Sequence, residues 1–142
     1  MALKLTSALY NEIAAHLRAA YPNEGAGILI GRETKAGKQA RIVVPFENKF
    51  ATDQQHHRYL ITAEDMRDGE TAADENGLDV LGVYHSHPDH PAEPSGFDRA
   101  NAWPWYSYLI ISVQNHNPET ARCWQLADDR SKFNEEELLI ET

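Results

Sequence analysis

Two histidines separated by one residue, in Tyr84-His85-Ser86-His87-Pro88, are followed after seven intervening residues by Ser95 and, after two more, by Asp98. On an extended strand, side chains two apart point to the same face, so both imidazoles can reach one point from backbones about 6.5 Å apart. A carboxylate brought in from the next element, Asp98, completes two nitrogens and one oxygen and leaves a fourth tetrahedral position for water. An open position of that kind does chemistry rather than staple a fold. The histidine pair alone is a weak signal, because such a histidine is often a satisfied core residue; the full spacing carries the argument.

That spacing resembles the JAMM (MPN-plus) zinc metalloproteases. The likeness extends upstream, where Pro22-Asn23-Glu24-Gly25-Ala26-Gly27-Ile28-Leu29-Ile30-Gly31 is similar to the family's early strand with its catalytic glutamate, and it covers nearly the whole chain. The resemblance implies an α/β fold: a single MPN-like (cytidine-deaminase-like) domain over residues 1–142, with a mixed β-sheet flanked by helices. It assigns Zn2+ to His85, His87 and Asp98, the general base to Glu24, hydrogen bonding of the oxyanion to Ser95, and a place near the substrate groove to Asn48. Each has a plainer reading. Glu24 suits a solvated charge at a helix-strand junction, Ser95 with Asp98 three residues on suits a helix cap, and Asn48 suits a turn.

By the same resemblance the substrate is the extended C-terminal tail of a ubiquitin-like protein, cleaved after Gly-Gly at a peptide or isopeptide bond. Small relatives of this kind often act on sulfur-carrier proteins, trimming a tail or releasing a carried cysteine. Two other readings compete. A non-catalytic MPN interaction module can retain a metal site, and two histidines with one carboxylate also suit a non-haem iron oxygenase. Glu24 and Ser95 have no part in that oxygen chemistry.

The elements that must position these residues can be read from periodicity. Leu9, Ile13, Leu17 and Ala20 recur at helical intervals, which predicts a helix from Thr6 to Tyr21, ended by Pro22. A Gly-punctuated strand follows over 25–31, then a turn and a β-branched strand over 40–46, with Pro45 suggesting an edge or an exit from the ladder. Phe50 to Arg58 reads as an irregular polar loop, in which His56 and His57 are poor co-ligands because adjacent strand residues face opposite ways. Tyr59-Leu60-Ile61 reads as a brief strand, and Thr62 as the cap of a helix ending near Asn76-Gly77.

Leu78 to Ser86 is almost continuously apolar, as a central strand covered on both faces should be, and it delivers the two histidines at its end. Asp89 to Pro94 forms a stiff loop over the site. A short helix after Ser95 is interrupted at Trp103-Pro104-Trp105, a buried strand follows over 106–113, a polar turn over 114–119, and Trp124 and Leu126 continue the sheet. The tail from Glu135 to Glu141 reads as a last strand, pairing at a sheet edge or across a homodimer.

Composition narrows the classes. A chain of 142 residues fits one domain that buries about two thirds of its unfolded surface. A net charge of -9 argues against nucleic acid as the main partner, since phosphate binding needs clustered Lys and Arg. The single cysteine, Cys123, excludes an intramolecular disulfide and reads as a buried thiol. No signal segment or apolar run of membrane-spanning length is evident, so a cytoplasmic location with no membrane partner is the expectation.

Overall fold

The structure, a computed structural model, describes residues 2–142. β1 (Leu3–Thr6) runs directly into α1 (Ser7–Ala20), followed by the hairpin β2 (Ala26–Thr34) and β3 (Gly37–Phe46). A long irregular segment with one 3-10 turn (Thr52–Gln54) leads to α2 (Ala63–Glu75) and β4 (Asp79–Pro88). Then come α3 (Gly96–Asn101), β5 (Ser107–Gln114), β6 (Asn117–Leu126), β7 (Phe133–Glu136) and β8 (Leu138–Glu141). The strands form one sheet in the order β7-β6-β5-β4-β2-β3-β1-β8. It is mixed: β4 pairs antiparallel with β2 and parallel with β5, the latter through the crossover that carries α3.

Local chemistry sets where the helices begin. Thr6 accepts the Leu9 amide, and Thr62 with Asp65 and Ser95 with Asp98 form reciprocal capping boxes. Each such cap contributes on the order of 1 kcal/mol. On one face of the sheet α1 packs Leu9, Ile13 and Leu17 against Leu29, Leu81, Leu109 and Ile111. Ala73 of α2 packs with Ile28, Ile30 and Val80 in a second cluster. Covering both faces in this way requires β2 and β4 to be apolar throughout.

That arrangement orients the histidines. Tyr84 belongs to the cluster around α1, while Val83 belongs to another on the opposite side, so the strand's alternation puts His85 and His87 on the Val83 face. Behind them, His16 Nδ1 lies 2.7 Å from the Tyr84 hydroxyl, tying α1 to β4. Gly27 is required there, because a Cβ would run into the Tyr84 ring.

Several expectations change. Tyr59 to Ile61 forms no strand: the Leu60 amide bonds the Asn48 side chain instead of a ladder partner. The polar turn before β6 is tighter than expected, with β5 and β6 extending to Gln114 and Asn117. β3 is not an edge strand, but β1 pairs with it only at Lys38 and Gln39, which leaves Pro45 outside that ladder. The tail is two strands rather than one. β7 pairs with β6 and β8 with β1, at opposite ends of the strand order, so the sheet curls until Glu137 alone joins its two edges. Among the described residues no helix is long and apolar enough to cross a membrane.

Candidate metal and catalytic centre

Glu24, His85, His87 and Asp98 converge although they come from three separate parts of the chain, and all four are buried. Glu24 lies two residues before the start of β2, where its amide donates to Gln55 O at 2.6 Å and its carbonyl accepts from Asn48 Nδ2 at 2.8 Å. Its Oε1 lies 3.6 Å from His85 Nδ1. Asp98, in the first turn of α3, reaches both imidazoles: Oδ1 is 3.7 Å from His85 Nε2 and Oδ2 is 3.0 Å from His87 Nε2. One ligand atom each from Glu24, His85 and His87 falls within 4.8 Å of the others.

The hydrogen bonds say what these groups lack. Glu24 Oε1 and both His85 nitrogens are buried with no hydrogen-bond partner, a condition that native interiors rarely tolerate. His87 Nδ1 is 2.9 Å from the carbonyl of Pro91, a contact that requires a proton on Nδ1. In a neutral ring Nε2 then carries a lone pair, and it faces the Asp98 carboxylate. Two acceptors at that distance need a proton or a cation between them. The donor set of imidazole nitrogens and carboxylate oxygens suits a divalent cation such as zinc.

Electrostatics point the same way. Burial opposes ionisation of Asp98, but His85, His87 and the Ser95 amide outweigh it and hold its carboxyl at about 2. Burial likewise opposes charging of His85, yet Asp98 and Glu24 together raise its pKa. The field inside the site therefore favours positive charge.

Ser95 Oγ accepts the Asp98 amide at 3.1 Å, and the Ser95 amide donates to Asp98 Oδ2 at 2.9 Å. A hydroxyl that accepts one bond still has its own proton to donate, so the cap leaves that donor available at the site. Outside these groups lies a cleft of about 500 Å³, lined by Glu24, His57, Arg58, His87, His90 and Ser95 among others. His56 and His57 bond one another at 2.7 Å; His57 reaches the cleft but neither joins the buried cluster.

Asn48 sits against two residues that line the cleft, Glu24 and Arg58. Its amide nitrogen donates to Glu24 O and Arg58 O, and its oxygen accepts from the Phe50 and Leu60 amides. Four bonds to the protein's own backbone use the whole side chain. Sequence reasoning missed Tyr59, whose ring stacks on His85 with centroids 4.5 Å apart, and Trp124, whose indole N–H bonds Ala92 O at 3.0 Å. No local pattern marks either contact, because each joins segments distant in the chain.

The fold is that of the JAB1/MPN domain. AF2198 from Archaeoglobus fulgidus, a JAB1/MPN domain protein, matches with a TM-score of 0.62 over 98% of this chain and 99% of that one, at 18% identity. The model for prokaryotic homologs of the JAB domain matches residues 6–127, and the chain belongs to this prokaryotic JAMM family. A Thermus thermophilus protein described as "Probable TtuB-protein conjugate cleaving protease" is 32% identical over 113 residues, covering 80% of this chain and 72% of that protein. The CysO-cysteine peptidase of Mycobacterium tuberculosis is 24% identical over 127 residues, 89% of this chain and 84% of the peptidase.

Proposed function

We propose that this chain is a zinc-dependent metallopeptidase that hydrolyses peptide or isopeptide bonds after the C-terminal Gly-Gly of ubiquitin-like or sulfur-carrier proteins. The observation that carries the reading is the set of buried, partnerless atoms on Glu24 and His85 beside a carboxylate that bridges both histidines. The relatives that cleave a protein conjugate and a carrier-bound cysteine support the substrate class. A cytoplasmic setting goes with it, where the buried Cys123 thiol stays reduced.

His85, His87 and Asp98 would hold the ion, with His87 kept in its Nδ1–H tautomer by the Pro91 carbonyl. When bound, zinc supplies Lewis acidity that polarises a carbonyl and makes water acidic near neutral pH. Glu24 accepts a proton from the attacking water as its oxygen bonds the carbonyl carbon. The Ser95 hydroxyl donates to the oxygen that becomes negative. As the C–N bond breaks, Glu24 returns the proton to the leaving nitrogen, giving an acid and an amine.

The test is cleavage of ubiquitin-like and sulfur-carrier fusions followed by mass spectrometry, using wild type, Glu24→Gln and chelator-treated protein. Wild type should release the segment after Gly-Gly. Glu24→Gln should reduce kcat by roughly 10²- to 10⁴-fold, the usual contribution of a general base, and chelation should stop turnover until zinc is restored. Zinc-replete protein that cleaves none of the fusions, or cleavage that survives Glu24→Gln and chelation, overturns the reading.

A further inference from the structure

The cleft is lined by His57, Arg58 and His90 together with the acids Glu24 and Glu93, in a chain whose net charge is -9. Arg58 differs from Arg122, which is ion-paired with both Glu135 and Glu93. The Arg58 side chain makes one hydrogen bond, from Nη1 to Gln54 Oε1 at 3.0 Å, and no ion pair among the described residues. Its guanidinium lies over the rings of Phe97 and Phe50, at 5.1 and 5.9 Å from their centroids. A planar group held against aromatic rings keeps an edge available for bidentate pairing with a carboxylate.

Its position is fixed relative to Glu24. The Asn48 amide nitrogen bonds the carbonyls of both Glu24 and Arg58, and Gln55 O accepts the Glu24 amide. Arg58 therefore stands on the Glu24 side of the cleft. Glu24 is the group that returns a proton to the leaving nitrogen; the Arg58 backbone adjoins it, and the Arg58 side chain lines the same cleft.

We propose that Arg58 anchors a carboxylate carried by the leaving group beside the scissile nitrogen, as in an amino acid joined to the acyl tail through its α-amine. It thereby ranks such adducts above leaving groups that are neutral at that place. The proposal rests on the hydrolase reading for the direction of the cleft, and on Arg58's own contacts for the anion site.

Two substrates test it: a ubiquitin-like protein ending Gly-Gly-Ala with a free carboxylate, and the same protein ending in the carboxamide. Wild type should favour the free acid in kcat/KM by roughly tenfold or more, the scale of one charge-assisted hydrogen bond. The ratio should fall to near one in Arg58→Met and be partly retained in Arg58→Lys. A wild-type ratio near one, or a ratio unchanged in Arg58→Met, overturns the proposal. Binding is read separately, by NMR titration of alanine and alaninamide into zinc-loaded Glu24→Gln. Selective, saturable binding of alanine that Arg58→Met abolishes supports the anchor even where no fusion is cleaved, and equal response to both ligands overturns it. Cleavage without preference leaves the hydrolase reading standing and removes this one.

Discussion

The two walls of the cleft are held in opposite ways. The loop from Asp89 to Glu93 is fastened at every residue: Asp89 by Tyr21 and the Asn115 amide, and His90 O by Ser112. Pro91 O is bonded by His87, Ala92 O by Trp124, and Glu93 by Arg122. The facing segment between β3 and α2 has little regular structure, and one side chain, Asn48, gathers four of its bonds. Distributed fastening suits the wall that orients His87, the proposed metal ligand, where small displacements matter most. A hub suits the wall that carries Glu24 and Arg58, since Asn48 couples the two carbonyls while Gln55 O holds the Glu24 amide.

The contrast predicts unequal responses to mutation. Asn48→Ala should have the largest effect, because it leaves the Glu24 and Arg58 carbonyls without their donor at about 1–3 kcal/mol for each unsatisfied buried group. We expect kcat/KM to fall by more than tenfold, with hydrogen exchange accelerating over residues 47–61 while the opposite loop stays protected. Trp124→Phe removes one fastening among several. It should cost about 1 kcal/mol, with zinc affinity, measured by chelator competition, falling only a few-fold unless Ser112→Ala is added. A larger loss in Trp124→Phe than in Asn48→Ala would reverse the comparison.

The smallest effect should come from acid. Burial opposes ionisation of Asp65, but Lys49, 2.6 Å away, and the Thr62 cap outweigh it and lower its pKa. A carboxyl lowered on folding contributes stability that is complete above its unfolded value of about 4 and is lost as pH falls through the folded one. Because Lys49 adjoins Asn48, acidification through that window should loosen the hub wall. Exchange of the amides over 47–61 against pH reads it, and Asp65→Asn should remove the dependence.

The centre was legible because its residues are clustered by chemistry. His85 and His87 take their common face from strand alternation, and Asp98 and Ser95 from a capping box, all of which are short-range rules. The helix starts at Thr6 and Thr62 follow from the same kind of rule. The errors lie where a distant partner decides. Tyr59 and Leu60 look like a strand by residue type, but the Asn48 oxygen takes the Leu60 amide and the His85 ring takes the Tyr59 face. Glu135 to Glu141 alternates like one strand, yet it divides at Glu137 because β6 and β1 each offer an unpaired edge. Asn48 itself looked like an ordinary turn residue, and only the folded loop shows how its four bonds are used.

The pairing of β8 with β1 also bears on how the molecule forms. Leu3 lies beside Leu138, so strands from nearly opposite ends of the sequence are neighbours. During synthesis β1 leaves the ribosome well before β8 and waits for that partner while the elements between them follow. Contacts this distant in sequence are slow to close, and an unpaired edge is open to other chains in the interval. The risk of misassembly is therefore concentrated in the period before β8 arrives, after the helices and the β2-β3 hairpin have been made.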